Sequence, residues 1–283
     1  MSQQSAPEEP TMVSQAEPNR TPWIVIAVAL IGAAGVALYV LRERAPESAP
    51  ASVSQQAAPA PVVTEPAIRH PIEAALTATQ TGPVDEPLPS LFDSDAGLRG
   101  ALAAIAGLDG FEALLVPDFL IQRFVATVDN LPRRKLAPEQ SPVKPVPGNF
   151  RVANDSDRVL IAPDNAARYT PYVQVLEAVD ARALVALYVR WYPLFQQAYR
   201  ELGHPDAYFN DRLVDVLDHL IAAPALPADA ELIRPRAVWE YADPELESLS
   251  SGQKIMLRVG TEHAAVVKAK LGEIRALLVA ESP

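Results

Sequence analysis

Asp211, Asp215, Asp218 and His219 fall within nine positions and form the densest run of chemically capable side chains in the sequence. On a helix, spacings of three and four bring such groups onto one face, where they could hold a hard cation or act as an acid–base pair. Leu213, Val216, Leu217, Leu220 and Ile221 make the opposite apolar stripe. The acids therefore read as the solvated face of an amphipathic helix, and no metal site is assigned to them. His204 and His263 are the only other histidines after residue 91, and nothing in the sequence places them nearby.

Arg190 stands out for its surroundings. It is the only charge between Arg182 and Arg200, inside ALVALYVRWYPLFQQAY. A charge in such a setting is paired, snorkelling, or kept for an anion. Tyr188, Tyr192, Phe195 and Tyr199 recur at four, three and four, a helical stripe whose natural place is the core. The ligand-contact set that follows is Arg190, Trp191, Tyr192, Tyr208, Asp211 and Arg212. The cations at 133–135 and 144 read as ordinary loop charges or an anionic-lipid contact.

LSSGQK, residues 249–254, is one residue from a nucleotide-facing transporter signature, but the chain has no GxxxxGK[ST] loop to hold phosphates. Ser250 and Gln253 instead spell a capping box. There is no G-x-S-x-G elbow, so no catalytic residue and no cofactor is assigned.

The elements that must position these groups are mainly helical. Asp95 is placed to cap Ala96–Ala106, and Pro117 to open a helix through Leu131. Two short β-type runs follow at 150–153 and 158–161. Thr170-Pro171 starts one helix, and Asp180 starts a long one ending near Gly203, with Pro193 predicting a kink or break at Tyr192. Asn210 is placed to cap 211–222, and 232–241 reads as a short strand or hairpin. Asp243-Pro244 and Ser250 start two short helices, and 261–280 is a closing amphipathic helix.

The N-terminal third is unlike this. Trp23–Leu41 is an uncharged run of 19 residues between Arg20 and Arg42, long enough to reach roughly 28 Å as a helix. It reads as a retained single membrane span rather than a cleaved signal. Residues 45–90 hold nine Pro and ten Ala, a composition that does not support a packed core and reads as a disordered stalk. The chain divides into a short tail (1–22), a transmembrane helix (23–41), a stalk (42–90) and one mainly helical domain with a few short strands (91–283). The net charge of -11 and the absence of Cys exclude thiol chemistry, disulfides and a nucleic-acid partner.

PVKPVPG (142–148), ARYTPYV (167–173), YVRWYPLFQQAYRELG (188–203), YFNDRLVDVLDHL (208–220) and YADPELESLSSGQK (241–254) together resemble the bacterial domain of unknown function 3014 family. The resemblance implies a membrane-anchored bacterial protein; it implies no activity and transfers no functional residue. The resulting expectation is a single-pass inner-membrane protein presenting a non-catalytic interaction domain in the periplasm, with an envelope protein as partner. The alternative is an envelope enzyme or glycan-binding module acting on peptidoglycan or another anionic ligand.

Overall fold

The computed structural model describes residues 67–80, 87–107 and 111–280, all within a unit that begins at Val63. The expected span at 23–41 and most of the expected stalk lie outside the described residues. Among the described residues, no helix is long and apolar enough to cross a membrane.

Nine α-helices organise the unit: α1 (Ile72–Thr79), α2 (Asp95–Ala106), α3 (Leu120–Asn130), α4 (Thr170–Ala178), α5 (Ala181–Glu201), α6 (Phe209–Ile221), α7 (Pro244–Ser248), α8 (Ser251–Arg258) and α9 (Thr261–Leu278). The expected mainly helical class holds. Helix α5 is the axis. Val185, Tyr188, Val189, Trp191, Tyr192, Leu194, Phe195, Ala198 and Tyr199 are all buried along it, and α1, α2, α3, α6 and α9 pack around it. An apolar surface this wide suits a helix surrounded by others rather than one lying on a surface. The tyrosine stripe is core: Phe195 stacks on Phe209 at 6.1 Å, and Phe124 meets Phe195 edge-on at 5.5 Å.

A smaller core holds Ala230, Leu232, Tyr241, Leu246 and Leu257. Two hairpins cover it. In the first, β1 (Val152–Asp155) pairs antiparallel with β2 (Arg158–Ile161); in the second, β3 (Leu232–Ile233) pairs with β4 (Glu240–Tyr241).

Four expectations need correction. Residues 67–80 belong to the folded unit and not to a stalk, because α1 buries Ile72 and Ala75 in the main core. Composition hid this, since an eight-residue helix with two inward residues gives little periodic signal. Pro193 does not break α5, which runs unbroken from Ala181 to Glu201. The ring lies on the exposed side while the residues flanking it are buried, so packing outweighs the lost hydrogen bond.

Asp95 is the first residue of α2 and caps a different helix. Its carboxylate accepts from the Phe119 and Leu120 N–H groups at 2.7 and 2.8 Å. That cap is needed because Phe119 adopts a left-handed conformation (φ 59°), so α3 opens at Leu120 and not at Pro117. Asn210 likewise lies inside α6, where it is fully buried. Its amide donates to the His70 carbonyl at 2.8 Å and its oxygen accepts from the Tyr188 hydroxyl at 3.3 Å.

Candidate functional site

Helix α6 starts without a side-chain cap of its own. Gln196, buried on α5, supplies one: its Oε1 accepts from the Phe209 N–H and the Tyr192 hydroxyl, each at 2.9 Å, while its Nε2 donates to the Ala207 carbonyl at 2.8 Å. A polar residue in an aromatic core is stable only when satisfied in this way. Burial, with Tyr208 close by, pushes the Tyr192 hydroxyl well above the ordinary tyrosine range. Both tyrosines are therefore neutral hydrogen-bonding groups at physiological pH.

The end of α5 is shaped with similar economy. Gly203 takes φ 114°, a conformation that side chains rarely adopt. The Gly203 N–H then reaches the Arg200 carbonyl at 3.1 Å and the His204 N–H reaches Tyr199 at 3.3 Å, the double closure of a Schellman turn. This turn lays the His204 imidazole over the Tyr199 ring, 4.5 Å between centroids and 24° between planes. Burial, and secondarily the Asp129 charge, raises the Tyr199 hydroxyl pKa.

Asp129 is the charged centre of the region. Its side chain is only 5% exposed. Its Oδ1 accepts from Arg212 Nε at 3.1 Å, its Oδ2 pairs with Arg133, and His204 Nε2 lies 3.7 Å from the same oxygen. Arg212 also donates to the Asp129 carbonyl at 2.6 Å. One buried carboxylate thus holds two guanidinium groups with an imidazole at its edge. Removing it would leave them uncompensated, which is why such a centre is stable only as a set.

Two cavities flank this centre. One, of about 460 Å³, is walled by Arg69, Arg200 and Arg212 against Asp206, Asp211 and Asp215, with Tyr199 and Tyr208 beside them. The segment leading into α1 forms one wall. The Asp211 carboxylate accepts the Arg69 and His70 N–H groups at 3.1 and 2.7 Å, and Asp215 takes the Arg69 guanidinium through both oxygens at 2.9 and 2.7 Å. The hydrogen bond and charge of Arg69 hold the Asp215 carboxyl below its ordinary range. The second cavity, of about 450 Å³, is lined by Asp129, Arg133, Lys135, Gln140, Leu202 and His204 among others.

The acids of α6 go to separate partners and do not converge. Asp211 and Asp215 grip the residue 69–70 segment, Asp218 pairs with Arg275, and His219 Nε2 meets Ser250 Oγ at 2.8 Å. That Ser250 hydroxyl also accepts from the Gln253 N–H, completing the expected capping box, so it serves the start of α8. The same helix start does more. Its Ser251 and Gly252 N–H groups donate to the Arg133 and Leu131 carbonyls at 2.7 and 2.9 Å. A Cβ on Gly252 would stand 2.6 Å from Leu220 Cδ2 and 3.1 Å from the Leu131 oxygen, so glycine is required for this approach.

Of the six residues singled out in the sequence, the structure brings together Tyr208, Asp211 and Arg212 at the first cavity. Tyr192 lies behind them with its ring 5.7 Å from Tyr208. Arg190 is half-buried on α5, and Trp191 packs against Gly97; neither lines either cavity. Asp129, Arg133, Lys135, His204, Arg69 and Arg200 were not assigned. Asp129 did carry a signal, as the one acid on the predicted helix between Asp118 and Leu131, four residues before Arg133.

A family model described as Protein of unknown function (DUF3014) matches residues 120–275. The chain belongs to this family. In this DUF3014 protein the match runs from the first residue of α3 into the last turns of α9, and so includes Asp129, Arg133, His204 and Arg212. No curated protein and no solved structure is significantly similar to the chain.

Proposed function

We propose that this DUF3014 protein is a single-pass inner-membrane protein that presents its helical unit to the periplasm as a binding module for an envelope partner. The observation that carries the reading is the Trp23–Leu41 run: 19 uncharged residues, with Arg20 on one side and Arg42 and Arg44 on the other. Its length suits the hydrocarbon layer, and its flanking cations and terminal aromatics suit the two interfaces. The folded unit reaches back to residue 67, so 25 residues separate it from the run. As a flexible coil these would span about 28 Å, and as continuous polyproline II about 78 Å. The module would then work close to the bilayer.

A binding role rests on how the charged groups are used. Ser250, His219 and the α6 acids, the groups best suited to catalysis, are committed to helix caps and ion pairs. A reporter that is active only outside the cytoplasm, fused after Pro283, is expected to be active. Activity of the matching cytoplasmic reporter would refute the orientation, and release of the full chain by carbonate washing would refute the span. Crosslinking in intact cells is expected to trap one recurrent envelope protein.

A further inference from the structure

We infer that the cavity between Asp129, Arg133, Lys135 and His204 is a binding site for an oxyanion of the phosphate class. The first argument is charge. Asp129 is the only acid in the wall, and Arg212 already compensates it from behind. Arg133 and Lys135 are then two positive charges with no further carboxylate facing them across the cavity. The chain as a whole carries -11, so this concavity runs against the general field and would attract an anion selectively.

The second argument is hydrogen-bonding sense. Asn130 Nδ2 donates to the Ala126 carbonyl at 2.8 Å and to Gln140 Oε1 at 3.0 Å. That contact occupies the Gln140 oxygen and leaves its amide N–H groups to the cavity. Asp129 spends both oxygens on Arg212 and Arg133. Lys135 and the remaining Arg133 N–H groups are donors only. The free capacity of the wall is therefore almost wholly donor capacity, which matches a ligand with several acceptor oxygens.

The third argument is preorganisation. The Arg133 and Leu131 carbonyls are held by the start of α8, and Thr127 Oγ1 fixes the Gln140 carbonyl at 3.0 Å. The His204 side of the cavity is set by the Gly203 turn and the Tyr199 stack. The donors are thus placed before any ligand arrives, which limits the ordering cost of binding. A volume of about 450 Å³ leaves room for more than one phosphate group, so a diphosphate or a phospholipid headgroup fits as well as free phosphate.

The test is calorimetric titration of the full-length detergent-solubilised chain with pyrophosphate, at ionic strength held constant with sodium chloride. Saturable one-to-one binding is expected. Lys135→Ala, which removes an exposed side chain that bears no structural contact among the described residues, should weaken it about 10-fold. Arg133→Gln should weaken it further. Arg236→Ala, a surface cation on the β3–β4 hairpin, should leave it unchanged. Displacement of pyrophosphate by a short-chain phosphatidylglycerol below its micellar concentration would identify a lipid headgroup as the source of the phosphate; displacement by inorganic phosphate alone would identify a soluble one. Lack of saturable binding, or equal losses in Lys135→Ala and Arg236→Ala, would overturn the assignment. None of these readouts depends on whether residues 23–41 span a membrane.

Discussion

The two cavities share Arg212 as a common wall or backing, yet their charges are arranged in opposite ways. On the α1 side, three arginines face three aspartates, and the pairing of Arg69 with Asp215 and Asp211 closes the protein's own segment onto α6. On the α3 side, one buried aspartate supports more cationic charge than it neutralises. The first arrangement is a fastening, complete within the chain. The second is incomplete within the chain, and its missing counter-charge is what a ligand supplies. Cavity size does not separate them, since both hold about the same volume; charge balance and the direction of the free hydrogen-bonding groups do.

The contrast breaks most severely at Asp129. Asp129→Ala leaves Arg133 and Arg212 facing each other without their carboxylate and is expected to cost about 3–5 kcal/mol, measured by urea unfolding. A cost below 1 kcal/mol would mean that the cationic cavity tolerates its charge unaided. Next comes Gly252→Ala, where the added methyl meets Leu220 and the Leu131 carbonyl. A loss of about 1–3 kcal/mol is expected, together with a displaced Arg133 segment visible in amide chemical shifts.

Asp95→Ala removes the cap from the helix that carries Asp129 and should cost about 1 kcal/mol. Its amide exchange signature is expected at residues 119–121 and not in α6. The smallest effect belongs to the self-contained cavity. Asp215→Asn deletes an exposed ion pair and should cost under about 1 kcal/mol, less in high salt. Because the Asp215 carboxyl is held below its ordinary pKa, the pair stabilises fully at neutral pH. Its contribution is lost as pH falls through that depressed value, so wild type and variant should converge in acid.

How much of this was legible in the sequence depended on whether a feature was local. Caps that act on their own helix were readable: Asp180, Asp243 and the Ser250–Gln253 box all do what their spacing implies. So was the aromatic stripe of α5, because a period of 3.6 is a one-dimensional pattern. Caps given to another element were not. Asp95 serves a helix that starts 25 positions later, Gln196 serves α6, and Asn210 reaches back 140 positions to His70. Their local spacing suggested other jobs. The Asp129 centre failed to show for the same reason, since Arg133, His204 and Arg212 meet only after α3, the Gly203 turn and α6 are packed. Arg190 drew attention because its neighbours in sequence are apolar, but a helix shows different neighbours on each face.

The grip of α6 on residues 69–70 also sets where the unit bears mechanical load. A pull arriving from the N-terminal side meets the exposed Arg69–Asp215 contact first, then the two backbone N–H groups held by Asp211, then the His70 carbonyl held by Asn210. Only beyond these would tension reach the buried Ile72 and Ala75. The contacts lie in series, and they share a wall with the charge-balanced cavity. Tension along the chain would therefore be absorbed at α6 before it disturbed the Asp129 centre, so the module can be dragged without losing the shape of its cationic cavity.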